Sequence, residues 1–310
     1  MTKPTVFIDG EAGTTGLQIR DRLAARTDIE RLSIDPDKRK DNAARAEMLN
    51  GADVAILCLP DDAARQAANL VTNPDTVIID ASSAHRTHPD WTYGFPEMAG
   101  GQRERIAASR RISNPGCYPT GFIALVRPLV AEGIVPATYP VTVNAISGYT
   151  GGGRAMIAEF EAGGPPYRAY GLGQTHKHLP EMRHHAGLDH PPVFTPAVGD
   201  FAQGMLVEVP LAMWSLPGTS SLDRVHAALA SAYRDTACIS VAPAEAAAAT
   251  TGLEPEACNG TNRLELFVFG NDVQARLVAR LDNLGKGAAG AAVQNLNLVL
   301  GVGDTTGLII

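Results

Sequence analysis

Positive charge, aromatic rings, paired cysteines and long apolar runs are all scarce in this 310-residue chain. Lys and Arg number 26 against 33 Asp and Glu, a formal net charge of −7. That balance argues against non-specific attraction to nucleic acid or to an anionic membrane, since both want a basic surface. Aromatics make up 5% of the residues, too few for the stacking platforms of a single-strand binder. No apolar stretch reaches the roughly 18 residues of a membrane span. Met1 to Gly10 carries neither the apolar run nor the cleavage site of an export signal. The reading is a cytoplasmic protein with no membrane and no nucleic-acid partner. Cys58, Cys117, Cys238 and Cys258 contain no C-x-x-C pair, which argues against a cysteine zinc site. A cytosolic chain keeps its thiols reduced. Each cysteine is then either a small buried hydrophobe or a reactive thiol.

What is present is ordinary globular material, 45% apolar and 19% charged. At about 150 residues per domain the length suggests two domains. Residues 5–9, 31–35, 53–59 and 76–80 read as short, nearly continuous apolar strands. Helical segments over about 17–26, 41–50 and 61–71 separate them. Alternating strands and helices of this kind indicate a parallel sheet covered on both faces. After about residue 117 the style changes. Residues 140–146 form a strand followed by Gly-rich and His-rich loops. Residues 201–210, 263–269 and 274–281 read as strands, the first two alternating as in a sheet with one wet face. Residues 241–250 are Ala-rich surface helix or loop, and 287–300 turn helical again. The expected fold is α/β: a Rossmann-type dinucleotide-binding domain plus an α+β substrate and dimerisation domain. The first domain is expected to be discontinuous, 1–117 with 285–310, around 118–284.

The first strand runs into Gly10-Glu-Ala-Gly13-Thr14-Thr15-Gly16 and then a helix. Glycines let backbone amides approach a pyrophosphate, and a helix N-terminus favours its charge. The spacing is G-x-x-G-x-x-G instead of the commoner G-x-G-x-x-G. After the second strand come Asp35 and the cluster Asp37-Lys-Arg39-Lys40. A carboxylate there suits NAD and a basic group suits the 2′-phosphate of NADP; the basic cluster favours NADP(H).

Cys117 lies in Ser113-Asn114-Pro-Gly-Cys-Tyr-Pro-Thr120, between a Pro-Gly turn and a segment, 120–129, that reads as a helix. A thiol at a helix N-terminus forms thiolate more readily. A nucleophilic thiol wants a His partner, and Thr175-His176-Lys-His178-Leu-Pro-Glu181 offers two, with His184 and His185 nearby. The His spacing does not suit a helical metal site, so no metal is expected. Arg86, in the loop Asp80–Arg86 after the strand 76–80, could clamp a phosphate or carboxylate. The loop Ser147-Gly148-Tyr-Thr-Gly-Gly-Gly-Arg154 offers free amides and a guanidinium to an anion or oxyanion.

These segments, with Asp282-Asn283-Leu-Gly-Lys286-Gly-Ala-Ala289, resemble N-acetyl-gamma-glutamyl-phosphate reductases of the short type, with wider kinship to aspartate-semialdehyde dehydrogenases. The matches span nearly the whole chain in order; the cysteine and His-x-His-x-Pro-Glu stretches are the specific ones. One departure is Gly13-Thr-Thr-Gly16, where many relatives have Gly-Tyr-Thr-Gly. The resemblance implies NADPH-dependent reduction of the small acyl phosphate N-acetyl-5-glutamyl phosphate to the semialdehyde, in arginine biosynthesis, through a thioester on Cys117. It implies His176 as acid/base, with His178 a substrate ligand; the residues alone leave the order of the two open. It implies substrate contacts from Arg86, Asn114, Ser147, Gly148, Arg154, His178 and Glu181. Cofactor contacts would come from Gly10, Gly13, Thr14, Thr15, Gly16, Arg39, Leu59, Pro60, Ser82, Asn283 and Lys286. A homo-oligomer, dimer or tetramer, is expected. The nearest rival is an aspartate-semialdehyde dehydrogenase, a family that tends to carry Asn before its cysteine, where this chain has Gly116. A Cys–His hydrolase would not need the leading glycine turn, and a non-catalytic NADP(H) sensor would not need the thiol.

Overall fold

The computed structural model describes residues 2–218 and 221–310. They divide into two compact units. One comprises the chain up to Pro96, Gly100–Gly116 and Ala288–Leu308; the other comprises Glu97–Ala99, Cys117–Gly287 and Ile309–Ile310. The assignment of residues 97–99 and 309–310 to the second unit has no counterpart in the sequence reading.

The first unit holds strands β1 (Thr5–Asp9), β2 (Glu30–Leu32), β3 (Val54–Leu57), β4 (Val77–Asp80), β5 (Thr92–Tyr93) and β6 (Arg111–Ser113). They form one parallel sheet in the order β2-β1-β3-β4-β6-β5. Its central strands are apolar on both faces, and the period of two sorts them. Val6, Ile8, Val54, Ile56, Val77 and Ile79 enter one core cluster; Phe7, Ala55, Leu57 and Ile78 enter another. Helix Gly290–Val299 supplies Ala292, Val293, Leu296 and Leu298 to the first cluster. Each Val, Leu, Ile or Phe among them contributes about 1.5–3 kcal/mol of burial. β2 stops at Leu32, short of the expected Asp35, because Asp35 instead caps the 3₁₀ turn Pro36–Lys38, accepting from Asp37 N at 3.0 Å. The helix expected to run to about Arg26 is Thr14–Arg22.

The second unit holds β7 (Thr142–Gly148), β8 (Tyr167–Ala169), β9 (Val193–Gly199), β10 (Met205–Ala212), β11 (Ile239–Val241), β12 (Leu264–Gly270) and β13 (Gln274–Leu281). They form a mixed sheet in the order β11-β12-β13-β10-β7-β9-β8. β10 begins at Met205, not Phe201, because the Phe201 and Ala202 carbonyls accept from Tyr149 N and Thr150 N and so serve a loop. The Gly-rich and His-rich stretches after β7, expected as loops, contain helices Gly153–Glu161 and Leu179–Ala186. Helix Cys117–Ala131 is buried nearly all round and packs on β10 and β13. It starts three residues earlier than expected. Pro119 falls in its first turn, where a missing N–H costs nothing.

Candidate active site

In the first unit the glycine turn is shaped by close backbone approach. Gly10 has φ +87°, and a Cβ there would lie 2.4 Å from the Cys58 carbonyl oxygen. A Cβ on Gly16 would lie 2.4 Å from Gly10 O and 2.7 Å from Glu11 Cα. Gly13 stands at the N-terminus of helix Thr14–Arg22, where no side chain caps the first turn. Thr14 and Thr15 open that helix. Leu59 packs toward Gly10, and Pro60 precedes helix Asp61–Leu70. Arg39 reaches back from the end of the 3₁₀ turn Pro36–Lys38, its Nη2 3.0 Å from Glu11 Oε1 in the glycine turn. A cradle that any side chain would fill, at an uncapped helix start with a guanidinium alongside, fits a dinucleotide phosphate.

At the carboxyl end of β4, fully buried Asp80 accepts from Ser82 N (2.9 Å), Ser82 Oγ (2.7 Å) and pairs with His85 Nδ1 (2.7 Å). The His85 ring stacks on Trp91 with centroids 3.9 Å apart. Arg86 is fixed too: Nε donates to Asn114 O at 2.9 Å and Nη2 to Ala81 O at 3.1 Å. Asn114 Nδ2 donates to Ala288 O and its Oδ1 accepts from Asn295 Nδ2. Its amide therefore braces backbone. The roles of His85 and Trp91 escaped the sequence reading; Asp80-x-Ser82-x-x-His85 was the available signal.

In the second unit Cys117 is the first residue of its helix and only partly buried. Its Cβ and Cα lie 2.9 and 3.3 Å from where a Cβ on Gly287 would stand. Beside it Tyr118 donates to Ala197 O at 3.2 Å and accepts from Tyr170 OH at 2.9 Å. Burial, with Tyr170 and Cys117 adjacent, pushes the Tyr118 phenol well above its ordinary pKa. Its ring meets His176 and His178 edge-on, with centroids 6.1 and 5.9 Å away. The two imidazoles are 4.7 Å apart, and His178 N donates to His176 Nδ1 at 3.2 Å. Ser147 Oγ donates to Gly148 O at 3.0 Å and also reaches the Tyr118 phenol. Glu181 is buried in the first turn of helix Leu179–Ala186, and Arg154 is exposed on helix Gly153–Glu161. Thus Cys117, Ser147, His176 and His178 are linked through Tyr118. Tyr118 stands in the cysteine stretch with no pattern to give it a role, and Tyr170 stands in no motif at all.

Asn283 Oδ1 accepts from Gly204 N at 2.7 Å and its Nδ2 donates to Thr150 Oγ1 at 3.0 Å. Lys286 is 1% exposed, its Nζ 2.8 Å from both carboxylate oxygens of Glu97. Its ammonium is thus enclosed and paired. The other thiols differ in setting from Cys117. Desolvation, then the nearby Asp80 and Asp9 carboxylates, pushes Cys58 up to about 12; desolvation and Glu265 do the same to Cys258. Among the described residues no group of three or more His, Cys, Asp or Glu could hold a metal ion, and no helix is long and apolar enough to cross a membrane.

Residues 16–108 match the family model for the semialdehyde dehydrogenase NAD binding domain, and residues 117–283 match the semialdehyde dehydrogenase dimerisation domain. N-acetyl-gamma-glutamyl-phosphate reductase 2 of Nostoc sp. is 54% identical, covering 99% of this chain and all of its own length. The N-acetyl-gamma-glutamyl-phosphate reductase of Burkholderia cenocepacia is 53% identical over 97% of this chain and 98% of its own. Among solved structures, aspartate semialdehyde dehydrogenase II of Vibrio cholerae superposes with a TM-score of 0.71 at 15% identity, covering 97% and 99% of the two chains. Aspartate semialdehyde dehydrogenase with NADP from Candida albicans gives 0.65 at 12% identity, covering 96% and 99%. The structural matches share the α/β fold; the sequence matches go further, and the chain belongs to the N-acetyl-gamma-glutamyl-phosphate reductase family.

Proposed function

We propose that the chain reduces N-acetyl-5-glutamyl phosphate to N-acetyl-L-glutamate 5-semialdehyde and phosphate with NADPH, a step of L-arginine biosynthesis. The observation that carries the reading is the setting of Cys117: a partly exposed thiol at a helix start, backed by Gly287 and flanked by Tyr118 and the His176–His178 pair.

The helix start favours negative charge on sulfur. The Cys117 thiolate attacks the acyl carbonyl; a C–S bond forms, the C–O bond to phosphorus breaks, and phosphate leaves with the electron pair. NADPH, when bound, supplies the hydride that brings the thioester to the aldehyde level. His176 then gives a proton to the thiohemiacetal oxygen and takes it back as the C–S bond breaks, releasing aldehyde and the Cys117 thiolate. Tyr118 holds its proton across the working pH range and orients the imidazoles. Ser147 serves the developing oxyanion, and Gly148, whose amide donates to Gly204 O at 2.9 Å, shapes the loop beside it. His178 and Glu181 contact the substrate, and Asn114 serves it through the backbone that fixes Arg86. Arg86 and Arg154 hold its phosphate and carboxylate. Gly10, Gly13, Thr14, Thr15 and Gly16 hold the pyrophosphate, with Leu59, Pro60 and Ser82 around the nucleotide and Arg39 on the 2′-phosphate. Asn283 and Lys286 shape the cofactor region through the turn that they brace. The active form is a cytoplasmic homo-oligomer, dimer or tetramer, and the first unit is the cofactor domain.

The test runs the reaction in the oxidative direction with N-acetylglutamate semialdehyde, phosphate and NADP, following nicotinamide absorbance. Cys117→Ser should abolish turnover and keep NADP binding. Turnover without phosphate, or a Cys117→Ser variant at wild-type rate, overturns the mechanism. Equal activity on aspartate semialdehyde overturns the substrate.

A further inference from the structure

The segment Asp282–Gly287 ends beside Cys117, and its two ends are held differently. At the first end Asp282, fully buried, accepts from Leu284 N at 2.8 Å, Gly260 N at 2.9 Å and Gln203 Nε2 at 2.5 Å. Asn283 adds its bonds to Gly204 and Thr150. The far end is a π-helical turn, Gly285–Ala289. Such turns are rare, have looser hydrogen bonding than an α-helix and recur at functional sites. Gly287 N donates to Asp282 O at 3.0 Å. The strong side-chain anchor here is Lys286, bound in a fork by Glu97 from 189 residues away, both side chains within 2% of full burial. The next residue, Gly287, touches Cys117.

We infer that the Lys286–Glu97 pair is a positioning device for the nucleophile: it pins the π-turn so that the Gly287 backbone fixes the Cys117 side chain in its attacking rotamer. The inference rests on Cys117 being the nucleophile. A buried pair is weak support for stability alone, because a neutral pair of similar volume often folds as well. It is strong in holding geometry, since each partner is left with a buried charge if the other moves. A nucleophile displaced by about 1 Å loses roughly 100-fold in rate.

The experiment compares wild type, Glu97→Gln, Lys286→Met, the double variant and Glu97→Asp. It measures melting temperature, NADPH affinity, kcat, and the pH dependence of iodoacetamide alkylation at Cys117, read by mass on the Cys117 peptide. The single charge-breaking variants should melt lower. The double variant should recover the melting temperature, since no charge is left buried alone. It should nevertheless keep a kcat about 10- to 100-fold down at saturating NADPH and a slowed or shifted alkylation profile, the alkylation being read without cofactor so that any change in NADPH affinity at the Lys286 turn does not enter it. Glu97→Asp, which keeps both charges and withdraws the carboxylate by one methylene, should fold and show the same defect more mildly. A double variant with wild-type kcat and alkylation shows a purely structural pair and overturns the inference, as does Glu97→Asp at wild-type values if the double variant cannot fold. Failure of the underlying reading looks different: wild-type Cys117 itself would alkylate no faster than an ordinary exposed thiol.

Discussion

Gly287→Ala isolates the thiol's surroundings with one methyl group. Gly287 does not adopt a left-handed conformation, so alanine adds no backbone strain and the effect is steric. The methyl carbon would lie 2.9 Å from Cys117 Cβ and 3.3 Å from its Cα. Carbon atoms in contact prefer about 3.5–4.0 Å, so roughly 0.6 Å must be found. The helix behind Cys117 cannot retreat, because residues 118–126 are buried and close-packed. Gly287 is tied through its N–H to Asp282 O. The displacement therefore falls on the Cβ that carries the sulfur. Attack needs the reacting atoms about 3–3.5 Å apart and aligned, so a shift of this size should lower kcat about 10- to 100-fold. That is about 1.4–2.7 kcal/mol of barrier. Overpacking should also lower stability by about 1–3 kcal/mol. NADPH affinity, which depends on the glycine turn, should hold. The assay is phosphate-dependent NADP reduction, beside NADPH titration and thermal melting of the same preparations. A folded Gly287→Ala with wild-type kcat would refute the steric argument. A kcat loss matched by an equal loss of NADPH affinity would place the damage in the cofactor site.

Gly16→Ala makes the complementary test: its methyl would stand 2.4 Å from Gly10 O, so NADPH affinity should fall at least tenfold, about 1.4 kcal/mol, while iodoacetamide still modifies Cys117 at the wild-type rate. Alkaline pH should destabilise the fold. Desolvation raises the folded-state values of Cys58 and Cys258 to about 12 from 9.0, and those of Tyr118, Tyr170 and Tyr233 above 10.0. A raised folded value means that the stabilisation is complete below the unfolded value and is lost as pH climbs from there through the folded one. Urea unfolding should thus grow easier from about pH 9 upward; a flat profile between pH 8 and 11 would contradict the buried, protonated state of these groups.

The half of the fold that carries the nucleotide cradle was readable because its strands are apolar on both faces and its turn is written in glycines. Thr5–Asp9 into Gly10–Gly16 needs no tertiary knowledge. β5 and β6 were not readable: two and three residues long, with Arg110 and Arg111 at the latter's start, they show no period. β9 hides behind Pro196 and Gly199, and helix Leu179–Ala186 behind Pro180 and its histidines. In the site, the thiol and the histidines announced themselves by residue type. Tyr170 did not, since a lone tyrosine has no pattern and its bond to Tyr118 spans 52 residues. Lys286 shows the limit most clearly. By resemblance it is a cofactor contact, and only the distant Glu97 reveals an enclosed ion pair.

The helix Gly290–Val299 has a consequence for how the chain is made. It packs on helices Thr14–Arg22 and Gln102–Ala108 and on β4, and nine of its ten residues are buried. Ile19, Leu23, Ile79 and Ile106 share its core cluster. Synthesis runs from the N-terminus, so the strands made first wait for the helix made last. During translation the inserted second unit has all but its last two residues while the first still shows an uncovered apolar face. Until residues 290–299 emerge, that apolar face has no cover, and transiently exposed apolar surface is what makes a growing chain prone to aggregate.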